Sequence, residues 1–362
     1  MIQNGKQAVL LLENGMEFVG KSCGAEGMAM GETVFTTTMV GYQETLTDSA
    51  FYGKLVTQTF PLLGNYGVNG QDDEAPRCYA AGYIIREWCE HPSNFRCEGD
   101  LNSYLKEHNI IGIYDIDTRR LTKILREEGE MSGVIVTGEY QKDELLKQLQ
   151  AYSVKDAVAA VSVTEEKHCP AEHPEHRVAV LDLGVHRTAI EALNRRGCDV
   201  TVLPYDTTAE EILKAGFDGV LLPEGPGDPT ENTDVIEQVK LLSDANLPMA
   251  GTGLGHQILA LAHGASVSRL KYGHRGGNQP VINVNSGRTY VTAQNHGYVV
   301  DRDSVDPKVA QISFHNANDK TCEGLRYLEK PIISVQFTPD DMVGFYDEWM
   351  EMLEGEGKAV CR

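Results

Sequence analysis

Between Pro248 and Ala262 the chain reads Pro-Met-Ala-Gly-Thr-Gly-Leu-Gly-His-Gln-Ile-Leu-Ala-Leu-Ala. A short apolar run enters a glycine cluster and leaves as a leucine- and alanine-rich helix former. That is a strand, a tight glycine turn and a helix, the G-x-Nuc-x-G elbow that exposes a reactive side chain at the top of an α/β sheet. The central position is Gly253, which has no side chain. The frame of a reactive site is predicted here without its reacting atom.

The segments around the elbow support an α/β reading. From Arg177 onward, strands at Val178–Leu181, Asp199–Leu203, Gly219–Leu222 and Pro248–Ala250 alternate with helices at Ala189–Arg196, Ala209–Ala215 and Asp234–Ala245, with Thr188 a candidate N-cap. Repeated βα units imply a parallel sheet wrapped by helices. Ligands of such sheets bind beyond the C-terminal strand ends, where the Pro223–Pro229 loop and the elbow both fall. Residues 8–140 read differently, as short β patterns with helical pieces near Asp100–His108 and Arg119–Glu128, an α+β domain. A helical connection and a polar stretch containing Pro170 and Pro174 separate the two. The expected organisation is therefore an N-terminal domain over 1–145, a connection over 146–176 and a sheet domain over 177–362.

Composition narrows the partners. Lys and Arg number 32 against 53 Asp and Glu, a net charge of −21, which argues against non-specific binding to nucleic acid or anionic membranes. No apolar run reaches membrane-spanning length. Met1-Ile-Gln-Asn-Gly-Lys6 lacks a signal-peptide pattern, and the eight cysteines show neither CxxC pairs nor zinc spacing. Reduced thiols in a cytoplasmic protein are expected. No metal site is expected either, because no His/Cys/Asp cluster has ligand spacing along the chain.

Five segments stand in one order: Leu222-Pro-Glu-Gly-Pro-Gly-Asp-Pro229, Gly251-Thr-Gly-Leu-Gly-His-Gln257, Gly273-His-Arg-Gly-Gly-Asn278, Gln294-Asn-His-Gly-Tyr298 and Ser334-Val-Gln-Phe-Thr-Pro-Asp340. Together they resemble the class I, triad-type glutamine amidotransferases. Three N-terminal segments narrow the resemblance to the small-subunit family of carbamoyl phosphate synthetases. These are Gly31-Glu-Thr-Val-Phe-Thr-Thr-Thr-Met-Val-Gly-Tyr-Gln-Glu44, Leu63-Gly-Asn-Tyr-Gly-Val-Asn69 and Gly112-Ile-Tyr-Asp-Ile-Asp-Thr-Arg119. The resemblance covers nearly the whole chain. It implies a chemistry in which a thiolate attacks the side-chain amide of glutamine, an imidazole protonates the departing ammonia and a carboxylate orients the imidazole. It also implies that the ammonia travels to a large subunit, which combines it with carboxyphosphate made from bicarbonate and ATP. ATP and magnesium are therefore expected on the large subunit and no cofactor on this chain.

Carried over residue by residue, the resemblance puts the family's cysteine at Gly253, its histidine at Thr338 and its glutamate at Asp340. A fourth departure is Ala50, in Thr47-Asp-Ser-Ala-Phe51, where the family has a serine that contacts glutamine; neighbouring Ser49 would point elsewhere on an extended segment. The segment Asp341-Met-Val-Gly-Phe-Tyr346 has drifted as well. Losing a triad nucleophile or base costs on the order of 10⁶ in kcat, and both are absent. No other residue substitutes for them: Thr252 precedes the elbow apex, Cys198 reads as a small buried apolar residue, and Cys322 and Cys361 belong to no motif. Four losses with local drift read as natural decay or repurposing rather than a single inactivating change.

Binding elements are better kept. The resemblance implies that Gly225 and Gly227 line the glutamine pocket. The Leu254 N–H and a glycine-loop N–H would form an oxyanion hole, and Gln257, Asn295, Gly297 and Tyr298 would hold the amino-acid end of L-glutamine. His256, His274 and His296 all sit in motifs and read as hydrogen-bonded support of the loops, not as replacement bases. Three functions remain open: a non-hydrolysing small subunit, a pseudoenzyme scaffolding an ammonia-using heterodimer, for which ammonia-dependent members of the family are a precedent; a free-standing glutamine-binding or regulatory module; and a glutaminase or other enzyme working by a different route. The product's destination, pyrimidine or arginine biosynthesis or a catabolic route, is not legible.

Overall fold

The structure is a computed structural model that describes residues 6–355. The first five residues and Cys361, on which two of the expectations above fall, lie outside the described residues. The chain divides into two compact units, Met1–Lys155 and Asp156–Arg362.

The first unit holds strands β1 (Gln7–Leu12), β2 (Glu17–Gly24), β3 (Met28–Thr36), β4 (Lys54–Gln58), β5 (Leu62–Leu63), β6 (Gly82–Ile84), β7 (Glu87–Trp88), β8 (Ile111–Tyr114) and β9 (Met131–Val136). Seven close into a barrel in the order β1-β2-β8-β6-β4-β3-β9, with β9 paired back onto β1; β5 and β7 pair separately. Its helices are α1 (Tyr42–Thr47), α2 (Leu101–Glu107), α3 (Thr118–Glu128) and α4 (Lys142–Ala151). Side chains alternate across a strand, so β1 serves two cores. Leu10 and Leu12 join Leu55, Ile84, Ile113, Ile135 and the Leu121 and Leu125 stripe of α3, whereas Leu11 packs with Val134 and with Leu145 and Leu149 of α4. Strands covered on both faces read as continuous apolar runs rather than as alternation. Asp117 starts α3 by accepting from the Arg120 N–H at 2.9 Å, as an N-cap should. Ala50 and Ser49 are buried in a single 3₁₀ turn, Ser49–Phe51, so the extended conformation supposed for that segment is not what forms.

The second unit is built on one ten-stranded sheet. Its strands are β10 (Lys167–Cys169), β11 (His176–Leu181), β12 (Cys198–Leu203), β13 (Gly219–Leu222), β14 (Met249–Thr252), β15 (Val267–Asn283), β16 (Thr289–Val300), β17 (Ala310–Asn316), β18 (Cys322–Tyr327) and β19 (Ile332–Val335), in the order β10-β12-β11-β13-β14-β19-β18-β16-β15-β17. β12, β11, β13, β14 and β19 run parallel, and β15 to β18 extend them as an antiparallel wing. The helices are α5 (Ala157–Val161), α6 (Arg187–Asn194), α7 (Ala209–Ala215), α8 (Thr233–Asp244), α9 (Leu254–Ala262) and α10 (Phe345–Leu353). One face of the sheet packs Ile212, Val235, Val239 and Ile258 of α7, α8 and α9; the other packs Leu193 of α6 and Phe345, Trp349 and Met352 of α10. Within the stretch read as a connection, α5 packs Val158 into the first of these cores, and β10 pairs antiparallel with β12. Helix α6 begins two residues earlier than expected: its N-cap is His186, and Thr188 lies inside the helix. Among the described residues no helix is long and apolar enough to cross a membrane.

Candidate functional site

The elbow forms where the spacing puts it. β14 ends at Thr252, α9 starts at Leu254, and Gly253 between them has φ 53° and ψ −111°. Its N–H donates to the Val335 carbonyl on β19 at 3.0 Å, and its own carbonyl accepts from Gln336 Nε2 at 3.2 Å. The apex is thus held from the neighbouring strand as well as by the chain itself. Gly255 is required by close approach, because a Cβ there would lie 1.9 Å from the Leu222 carbonyl oxygen.

At the apex the geometry adds a residue that the sequence reading passed over. A Cβ on Gly253 would meet Glu224 Cγ at 2.9 Å and Glu224 Cα at 3.2 Å. The stem of Glu224 therefore crowds the first atom of any side chain the elbow could present. Glu224 is 7% exposed, and neither carboxylate oxygen has a hydrogen-bond partner. An acidic residue between a buried strand and the Gly225-Pro226-Gly227 turn was the available signal, since such a loop has little room to turn a charge outward.

Of the expected binding residues, Gly225, Leu254 and Gln257 stand at the elbow. Gly225 lies against the elbow, its missing Cβ 2.3 Å from the Leu183 carbonyl oxygen and 2.8 Å from Leu254 Cδ2. Gly227 has φ +88°, a backbone state that side chains rarely adopt. Gln257, on the first turn of α9, is buried, and its Nε2 donates to the Tyr298 carbonyl at 2.7 Å and to Gln336 Oε1 at 2.9 Å. In this conformation Gln257 braces β16 instead of presenting its amide. Asn295, Gly297 and Tyr298 follow one another on half-buried β16, with Asn295 opposite Arg275 of β15. Ala50 belongs to the other unit.

The three motif histidines have distinct surroundings. His256 is fully buried with Nδ1 2.8 Å from Ser334 Oγ, and burial drives its pKa down to about 3, so it is a neutral, structural ring. His296 is also held neutral, by burial first and then by the neighbouring His274. Burial works against the charged form of His274 too, but the Asp319 and Glu323 carboxylates prevail and hold its pKa up at about 9. His274, His296 and Glu323 bring their side-chain donor atoms within 4.8 Å of one another, all buried. Sequence spacing gives no sign of this group: the three stand far apart in the chain, and only pairing of the wing strands assembles them. The seven cysteines among the described residues are all free thiols. Burial pushes Cys198 and Cys322 up to about 12, which makes them poor nucleophiles.

Comparison with known proteins agrees with both halves of this geometry. Residues 10–135 match the family Carbamoyl-phosphate synthase small chain, CPSase domain, and residues 179–350 match Glutamine amidotransferase class-I. A carbamoyl phosphate synthase small chain from Clostridium perfringens is 43% identical over 95% of this chain and 99% of its own length. Those of Bacillus thuringiensis and Listeria monocytogenes are also 43% identical, over 98% and 96% of this chain and 98% and 97% of theirs. The chain belongs to the carbamoyl phosphate synthase small-chain family.

In this small chain Thr338 and Asp340, the two remaining positions expected to carry the reaction, make local contacts. The Thr338 N–H donates to the Ala293 carbonyl at 3.0 Å, pinning the segment to the interior of β16. Asp340 is exposed, and its Oδ1 accepts from the Met342 and Val343 N–H groups at 3.0 and 3.2 Å, capping a turn. Arg196 of α6's C-terminal side holds the next residues, with Nη2 2.8 Å from Asp341 and Nε 2.6 Å from Asp347. Arg196 thus ties Asp341 of the drifted segment, and Asp347 just beyond it, to the C-terminal side of α6.

Proposed function

We propose that this small chain does not hydrolyse glutamine and serves as the structural partner of a carbamoyl phosphate synthase large subunit that takes ammonia as its nitrogen donor. The observation that carries the reading is the apex of the elbow. Its backbone keeps a conformation suited to a nucleophile, while Gly253 offers no side chain and the Glu224 stem stands against the place where one would begin. Thr338, at the position of the base, has a hydroxyl that cannot accept a thiol proton at neutral pH. The carboxylate of Asp340 is committed to a local turn. Loss of both nucleophile and base leaves at most what binding and oxyanion stabilisation provide. On this reading the complex is a cytoplasmic heterodimeric unit with ATP and magnesium on the large subunit.

A second reading, a glutamine-binding module without catalysis, is supported by the retention of Gly225, Gly227 and Leu254, with Gly225 packed against Leu254 at the elbow. The two readings part in one experiment. The chain is co-expressed with the large subunit of the same genome and captured by a tag on either partner, and glutamate release is measured. Co-purification without glutamate release supports the scaffold. Failure to co-purify, together with saturable binding of glutamine by the isolated chain, overturns it in favour of the module. Glutamate release abolished by Gly225→Val overturns both.

A further inference from the structure

His274 on β15, His296 on β16 and Glu323 on β18 meet in the antiparallel wing. His274 and His296 are direct partners in the β15–β16 ladder, with ring centroids 5.1 Å apart and the rings nearly perpendicular. Glu323 is fully buried beneath them. His274 Nε2 lies 2.8 Å from Asp319 Oδ2, which fixes the N–H on that nitrogen in the neutral ring. In that neutral form, which a bound cation would favour over the ring charged beside Asp319 and Glu323, Nδ1 is the free lone pair. It is buried, has no hydrogen-bond partner, and lies 3.5 Å from Glu323 Oε1.

His296 is caught between two oxygens. Nδ1 is 2.8 Å from the Tyr298 carbonyl and Nε2 is 3.0 Å from Gln294 Oε1. A neutral imidazole carries one N–H. Turning the Gln294 amide end for end would present N–H to Nε2, but it would also set Oε1 against Glu323 Oε2, which now accepts from Gln294 Nε2 at 2.9 Å. While Glu323 is ionised and His296 is neutral, either orientation of the Gln294 amide leaves one acceptor facing another.

A cation among them would take up the lone pairs of His274 Nδ1 and His296 Nε2 and offset the buried Glu323 charge. We propose that His274 Nδ1, His296 Nε2 and Glu323 Oε1 form a binding site for a divalent transition-metal ion of the zinc type, with the fourth coordination position left to water. Two imidazoles and one carboxylate are a known zinc donor set, and such sets keep one position open. Bond lengths of about 2.1 Å imply tetrahedral ligand–ligand edges of about 3.4 Å, which the 3.5 Å separation of His274 Nδ1 and Glu323 Oε1 already matches. The three donors span up to 4.8 Å, so the widest pair must close by a side-chain rotation. The surroundings are those of a metal site: Asp319 backs one histidine and the Tyr298 carbonyl backs the other, each orienting the ring nitrogen that does not bind. The ion would tie β15 and β16 to β18, next to the Asn295–Tyr298 segment.

The test uses untagged full-length protein, stripped with chelator, loaded with Zn²⁺ and desalted. The expected results are about one zinc retained per chain, a higher Tm with Zn²⁺ than with Mg²⁺, and at least 100-fold weaker binding in Glu323→Gln and His296→Gln. Asp319→Asn, which alters only the orienting carboxylate, should weaken binding about 10- to 100-fold. Should the ligand variants fold poorly, Co²⁺ added to the unmodified chain gives an independent reading, an intense visible band of four-coordinate cobalt that Zn²⁺ removes. No retained zinc and an unchanged Tm in the unmodified chain would overturn the site, as would a cobalt spectrum like that of the aqueous ion.

Discussion

Gly253→Ala isolates the apex from catalysis. At φ 53° and ψ −111° a residue with a Cβ pays backbone strain of about 1–3 kcal/mol. The added methyl also lies 2.9 Å from Glu224 Cγ and 3.2 Å from Glu224 Cα. Overpacking of that kind costs about 1–3 kcal/mol, partly relieved if the Glu224 side chain swings away. Alanine reduces the entropy of the unfolded chain, which returns about 0.4–1 kcal/mol. The net expected loss is about 3 kcal/mol, and for a unit of this size about 6–12 °C in Tm. Thermal melts of the full chain followed by near-ultraviolet circular dichroism measure it. The contact is separated from the strain by Glu224→Ala, which removes the 2.9 Å clash and leaves the backbone unchanged. In a double-mutant cycle the two substitutions should couple by about 0.5–3 kcal/mol. An unchanged or higher Tm for Gly253→Ala would refute the strained elbow. A large loss with no coupling would refute the crowding by Glu224 and leave the strain.

Gly253→Cys alone should release no glutamate, because a thiol without a base stays largely protonated near its free pKa of about 8.5. Adding Thr338→His and Glu224→Ala should release more than any single change, and an equal rate for Gly253→Cys alone would contradict the need for a base. His256 is depressed to about 3 in the folded chain against 6.5 unfolded, so the unfolded state takes up a proton that the folded state refuses. Stability should therefore fall as pH drops from about 6.5 towards 3, by up to about 1.4 kcal/mol per pH unit from this ring. His256→Asn should flatten that slope in urea midpoints measured between pH 6.5 and 4, whereas an unaltered slope would place the protonation elsewhere. Gln257→Leu leaves the Tyr298 carbonyl and the Gln336 side chain short of a buried donor. It should lower stability by about 1–3 kcal/mol in the same assay, and no loss would mean that water takes the amide's place.

What the sequence disclosed was local. The elbow follows from glycines two apart between an apolar strand and a helix former, and the parallel strands follow from apolar runs spaced by amphipathic helices. Closure of the first barrel depends on β9 returning to β1 across most of the unit, a pairing that no short window contains. The α6 cap was misplaced because Thr188 has capping chemistry, while the helix starts from His186 without a side-chain cap. Glu224 was hidden for a different reason: its role depends on the direction in which a proline- and glycine-rich loop leaves β13. The histidine–carboxylate cluster is a product of register, since a slip of one residue between β15 and β16 would turn His274 or His296 to the opposite face.

The central claim, that this family member supports carbamoyl phosphate synthesis without supplying ammonia from glutamine, rests on one ratio. The complex of the small chain with its own large subunit is given bicarbonate and MgATP, with glutamine or with ammonium as the only nitrogen source, and carbamoyl phosphate is trapped and quantified. The account requires synthesis with ammonium and none above background with glutamine. Comparable rates with the two donors would contradict it and restore a working glutaminase to the Gly253 elbow.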